Sequence, residues 1–147
     1  MNICTFFGHS DCGEGVRPLL RRVVEAHIVQ RGVKEFYVGN HGRFDALVLS
    51  VLRELNQSYP QIAYSVVLAY MPNAGKPLSY RLGETVIPEG IENVPPRYAI
   101  AYRNDWMLRK ADFVITYVRY STGASARYAK KAIHRKKTVT NLADLYQ

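Results

Sequence analysis

The sequence predicts an α/β fold in which a mainly parallel sheet is covered by helices on both faces. Three observations lead there. Short apolar runs such as Asn2–Phe7 and Asp112–Val118 lack the alternation of a half-exposed strand and read as strands buried on both sides. Three runs of this kind end at polar, glycine-containing loops, and each loop opens into a stretch with apolar residues at helical spacing. Strands that alternate with helices in this way pack as parallel layers.

The second copy of the device is the clearest. Phe36-Tyr37-Val38 stops at Gly39-Asn40-His41-Gly42, and Phe44, Leu47, Val48, Val51, Leu52 and Leu55 then mark the buried face of a helix. Glycine lets backbone approach a ligand closely, and a new helix offers free N–H groups to an anion. Asp45 falls in the first turn, where a carboxylate suits the helix dipole or accepts ribose hydroxyls. A tight turn with a capping Asp45 is the plain alternative.

In chain order, Asn2–Phe7 is the first strand and Gly8-His9-Ser10-Asp11-Cys12-Gly13 its loop. Glu14 and Pro18 suit a helix's first turns, Val16, Leu19, Leu20, Val23, Val24 and Ile28 form its stripe, and Gly32 ends it. Lys34–Val38 begins the second unit, and β-branched Ile62–Tyr70 follows as the third strand. Met71 to Pro96 carries five prolines and three glycines without a period. Such a stretch serves as a lid, an arm or a subunit contact, or is an inert insertion; a lid or contact is expected here. Arg97–Ala111 is helical, and Asp112–Val118 is the fourth strand. Ser121-Thr122-Gly123-Ala124-Ser125 leads into a helix, Ala126–Lys136, with Ala126, Ala129 and Ile133 inward. Lys137–Asn141 is the last strand and Leu142–Gln147 a short tail.

The whole is one domain of 147 residues. The expected architecture is Rossmann-like, a three-layer α/β/α sandwich with about five strands in the order 3-2-1-4-5. That order sets strands one and four side by side, and ligands bind beyond the strand ends at such a switch point. The loops Gly8–Gly13, Gly39–Arg43 and Ser121–Ser125 all converge there.

Composition narrows the partners. No apolar run reaches the ~20 residues that span a bilayer, no leader pattern opens the sequence, and Cys4 and Cys12 are expected to be reduced; a cytoplasmic location is expected. The net charge of +8, from 20 basic against 12 acidic residues, suits a phosphorylated small molecule, nucleic acid or a solvated surface. No cofactor is called for. Cys12, His9 and His41 lack the paired spacing of a zinc site, so no metal is expected.

The Phe7-Gly8-His9 loop, Val38-Gly39-Asn40-His41-Gly42-Arg43-Phe44-Asp45, and Thr122-Gly123-Ala124 before a helix together resemble the SLOG superfamily, the Rossmann-like domains shared by DprA, the "lonely guy" (LOG) phosphoribohydrolases and a set of uncharacterised bacterial and phage proteins. The likeness covers nearly the whole chain and is strongest to the uncharacterised set. It implies a nucleotide or nucleotide-derivative pocket at the strand ends. LOG enzymes carry a PGGxGTxxE phosphate cradle with a catalytic glutamate, and an upstream Met-x-x-Arg-Lys. Met107-Leu108-Arg109-Lys110 is similar to the second but one residue shorter, and Ser121–Ser125 replaces the first with no glutamate after it.

Candidate ligand residues are therefore Gly8, His9, Ser10, Gly39, Asn40, His41, Gly42, Phe44, Asp45, Arg103, Arg109 and Ser121, Thr122, Gly123, Ala124, Ser125. The serine, threonine and glycine groups offer hydroxyls and amides to a phosphate. Arg103 and Arg109 offer bidentate pairing, with Asp105 as a possible partner. His9 and His41 are phosphate binders, proton carriers or simple turn residues. Trp106 and Tyr102 are base-stacking residues or core. Three functions follow: a domain that senses or sequesters a nucleotide-derived small molecule; an N-glycosyl hydrolase or transferase, in which Asp45 or Glu89 replaces the missing carboxylate and Arg109 assists; and a DprA-like single-stranded DNA binder using the basic helix from Arg127 to Lys137. A homo-oligomer is expected.

Overall fold

The computed structural model describes residues 2–71 and 80–145. Six strands, β1 (Ile3–Gly8), β2 (Glu35–Val38), β3 (Ala63–Val67), β4 (Thr85–Val86), β5 (Phe113–Tyr117) and β6 (Thr138–Asn141), form one sheet. Their order is β4-β3-β2-β1-β5-β6 and every pairing is parallel. Helices α1 (Arg17–Arg31), α2 (Arg43–Ser58), α3 (Ala99–Lys110) and α4 (Ala124–His134) complete a three-layer, Rossmann-like α/β/α fold.

Two cores explain the layers. On one face Phe36, Phe44, Leu52, Leu55 and Ile115 pack with Leu20 and Val24 of α1. All six apolar positions of α2 read from the sequence are buried, each contributing roughly 1.5–3 kcal/mol. On the other face Phe7, Val67 and Val114 meet Met107 and Leu108 of α3 and Tyr128 and Ala132 of α4. Helix α1 ends at Gly32, whose φ of 65° is left-handed.

Three features differ from the sequence reading. The sheet has a sixth strand, β4, inside the stretch read as irregular; two residues are too short for a periodic signature. Glu84, beside it, is buried and holds the segment down: it accepts from Arg53 Nε at 2.8 Å and Nη2 at 2.7 Å, from the Arg81 amide at 2.8 Å and from the Tyr64 hydroxyl. The guanidinium of Arg53 beside it drives the carboxyl down to about 2. Pro72, Gly75 and Pro77 of the expected lid lie outside the described residues.

Helix α4 turns only part of the expected stripe inward: Ala126 is buried as read, and Ala129 is half-buried. Tyr128 and Ala132 are buried, whereas Ile133 is 63% exposed, because the Tyr128 ring stacks on Phe7 of β1 at 5.1 Å and sets the helix rotation. The tail is also anchored. Leu142 is fully buried, and Asn141 accepts from the Ala143 amide to turn the chain inward.

Candidate functional site

The glycine loops meet where the topology reverses. The chain lays β2, β3 and β4 successively on one side of β1 and then crosses to place β5 on the other, so the β1–β5 seam is the switch point. The loop after β1 is the hub. The His9 amide donates to Tyr117 O at 3.3 Å, and the Arg119 amide donates to His9 Nε2 at 2.8 Å. The Arg43 amide donates to Ser10 O at 3.0 Å, and Ser125 Oγ donates to Gly8 O at 2.7 Å. Loops far apart in sequence are thereby stitched to one rim.

They enclose a cavity of about 450 Å³. Gly8, His9 and Ser10 line it from the end of β1 and its loop, His41 and Asp45 from the loop before α2 and its first turn, Arg103 from α3, and Thr122, Gly123, Ala124 and Ser125 from the loop before α4 and its first turn. The other candidates lie elsewhere. Gly39, Asn40 and Gly42 line a neighbouring cavity of about 280 Å³, which shares Asp45 with the first. Ser121 lines a third hollow between α4 and β6. Phe44 is fully buried beneath Gly8 and packs on Tyr117 at 6.4 Å, so its ring fills the core below the loop. The close fit is why position 8 is glycine: a Cβ there would lie 2.3 Å from the Phe44 ring.

Arg109 and Glu89 are exposed and line none of these cavities. Asp105 pairs with Lys131 at 2.6 Å rather than with Arg103 or Arg109. Tyr102 donates its hydroxyl to Glu89 O, and Trp106 packs edge-on against Tyr37 at 5.1 Å, so both serve packing. Of the basic helix, Lys131 is engaged by Asp105, and Lys130 Nζ donates to Ser121 O at 3.3 Å.

Helices α2 and α4 enter the rim through the same backbone state. Gly42 has φ 90° and ψ 175°, Gly123 φ 98° and ψ 170°, a region open essentially to glycine alone. No side chain caps α4, and the residues at its start, Thr122 to Ser125, line the cavity.

Arg103 is the most unusual residue at the site. It is 2% exposed and ranks among the largest wholly interior side chains. Nε donates to Asn104 Oδ1 at 2.8 Å, and Nη1 to Asn40 Oδ1 at 3.0 Å and Val67 O at 2.9 Å. Nη2 makes no hydrogen bond among the described residues, which leaves one nitrogen for a ligand rather than a whole fork. Among the described residues no carboxylate forms an ion pair with it. Burial lowers its pKa, opposed chiefly by the charge of Asp45.

Asp45 lies close by: its Oδ2 and the Arg103 guanidinium both stand about 3 Å from where a Gly39 Cβ would sit. Only glycine leaves room for both at that point. The Asp45 carboxyl is partly buried, and desolvation pushes its pKa up to about 6, against the pull of the His41 amide at 3.0 Å and of Arg103.

The thiols are quiet. Burial raises Cys4 far above the thiol range and Cys12 to about 11, so neither is a nucleophile near neutrality. Among the described residues no group of three His, Cys, Asp or Glu could hold a metal ion, and no helix is long and apolar enough to cross a membrane.

Sequence reasoning missed Tyr120 and Tyr128 as walls of the site. Tyr128 sits four residues into α4, where an aromatic reads as generic core, and Tyr120 stacks on His9 at 4.7 Å only because β1 and β5 are neighbours. Comparison with protein-family models and with curated proteins gives no match.

Proposed function

We propose that this chain is a SLOG-like domain that binds a nucleotide or nucleotide-derived small molecule in the cavity beyond β1 and β5, as a sensor or a sequestering domain. One observation carries the reading. A guanidinium without an ion-pair partner is expensive to bury, costing several kcal/mol before relaxation, and Arg103 is such a group at the wall of an open hollow. An anion lying between its free Nη2 and the uncapped amides of α4 offsets that cost. Phosphate fits both donors, and Asp45, a hydroxyl acceptor beside them, suits a ribose.

Thermal unfolding against nucleoside monophosphates, nucleoside diphosphates, ADP-ribose and the parent nucleosides tests this. A phosphorylated member is expected to stabilise the fold by about 2.7 kcal/mol at a hundredfold excess over Kd, and its nucleoside by much less. A flat response from the folded protein across the panel refutes the proposal.

A second reading, N-glycosyl hydrolysis or transfer, is favoured by Asp45 itself. A carboxyl held at about 6 at a cavity wall is poised for proton transfer. Release of free base from nucleoside monophosphates, abolished in Asp45→Asn, is its signature; no base release at high enzyme concentration retires it.

A further inference from the structure

We propose that the hollow between α4 and β6 is a second small-molecule site, one that takes an amphipathic monoanion with an aromatic or alicyclic body and a single carboxylate or sulfonate. The hollow measures about 410 Å³, within the range of ligand cavities. It is distinct from the first cavity, sharing only Tyr120 among the described lining residues.

Its walls are apolar. Ala126, Ala129 and Ile133 come from α4 and Val139 from β6. Ile133 is 63% exposed because the helix turns Tyr128 and Ala132 to the core, and this leaves an apolar ridge without cover. The charge at the hollow is asymmetric. Lys130 and Lys137 are its cations and Asp144 its one acid, a balance that favours one negative charge on the occupant. At the base of the hollow Thr116 is wholly buried, and its Oγ1 has no hydrogen-bond partner among the described residues. Buried hydroxyls are nearly always satisfied, and leaving one unpaired is costly. Asn141, by contrast, is engaged with the Val118 backbone on both atoms of its amide and serves the fold. An apolar body between α4 and β6 with an acid group at the lysines matches the walls and the charge of the hollow together.

The test uses the full chain and anilinonaphthalene sulfonate, a fluorescent aromatic monoanion, with sedimentation run at the same concentrations. One saturable site is expected. Ala129→Trp, which fills the hollow, is expected to weaken the dye about tenfold or more, and Lys137→Glu about three- to tenfold. Arg109→Glu matches that charge change away from the hollow and Asn104→Trp fills the first cavity; both are expected to leave affinity within about twofold. Ala129→Leu stands in if the tryptophan variant fails to fold, as judged by circular dichroism. Equal affinity across all variants, or loss on Asn104→Trp alone, overturns the proposal. So does a dimer that excludes the dye and dissociates on Ile133→Glu, since the hollow is then an interface between copies.

Discussion

Replacing Asp45 by asparagine should make the ligand-free protein more stable. The carboxyl titrates near 6 in the fold against 3.8 for the free side chain, so its ionised form is disfavoured by folding. A difference of about two pH units corresponds to about 3 kcal/mol at neutral pH. Partial exposure of the group reduces this, and a gain of about 1–2 kcal/mol is expected for the neutral isostere. Asparagine retains an oxygen to accept from the His41 amide, so the turn into α2 survives. The sign follows from linkage. A raised carboxyl penalises the fold above pH 6, and the penalty shrinks as pH falls toward 3.8, where both states are protonated. Urea unfolding followed by Trp106 fluorescence should therefore show the variant ahead at pH 7, with a Tm about 2–4 °C higher per kcal/mol. The advantage should vanish near pH 4. A variant destabilised equally at both pH values would refute the reasoning, because Asp45 would then act only as a cap.

Other perturbations separate anchoring from function. Glu84→Gln breaks the buried pair with Arg53, and the depressed carboxyl sets the loss at about 2–3 kcal/mol in urea unfolding at pH 7. In the parent protein that contribution is complete above pH 4.5 and drains away as pH falls toward 2; in the variant this part of the acid transition is absent. His27 donates Nδ1–H to Val23 O at 2.7 Å and buries Nε2 without a partner, so burial lowers its pKa and only the neutral ring suits the fold. Stability should fall as pH drops below 6.5, and His27→Gln should flatten that slope in pH-dependent thermal melts. Gly123→Ala meets no neighbour within 4 Å, so its cost of about 1–3 kcal/mol in chemical denaturation is purely conformational. If the cavity takes the proposed nucleotide, the substitution should also weaken that binding by shifting the start of α4.

Much of the fold was legible because its signals are local. The α2 stripe has one unambiguous apolar face, and the glycine loops punctuate the strands that lead into them. The order of the five longer strands is the Rossmann-like one expected of strands that alternate with helices. What escaped depends on pairs remote in sequence. The rotation of α4 is decided by Phe7 against Tyr128, and Ala129 and Ile133 offered an equally plausible stripe. In the sequence Arg103 is a phosphate-binding candidate on a par with Arg109; its burial, which sets it apart, follows from Asn40 and Val67 O, which lie on other elements. The lid reading of residues 71–96 failed to foresee β4 because Glu84 reads as a surface acid until Arg53 and Tyr64 are placed around it.

The central seam of the sheet also dictates when the cavity beyond β1 and β5 comes into being. Cys4 faces Phe113, and the Ile3 amide reaches Asp112 Oδ2 across 109 positions of chain. Loop closure makes such remote pairings late ones, so β1, β2 and β3 can assemble while the hollow beside them still lacks a wall. During synthesis the pocket cannot exist until β5 has left the ribosome and docked. On the proposed reading, ligand capture would report a finished molecule, and an excursion that unzips β1 from β5 would open the cavity.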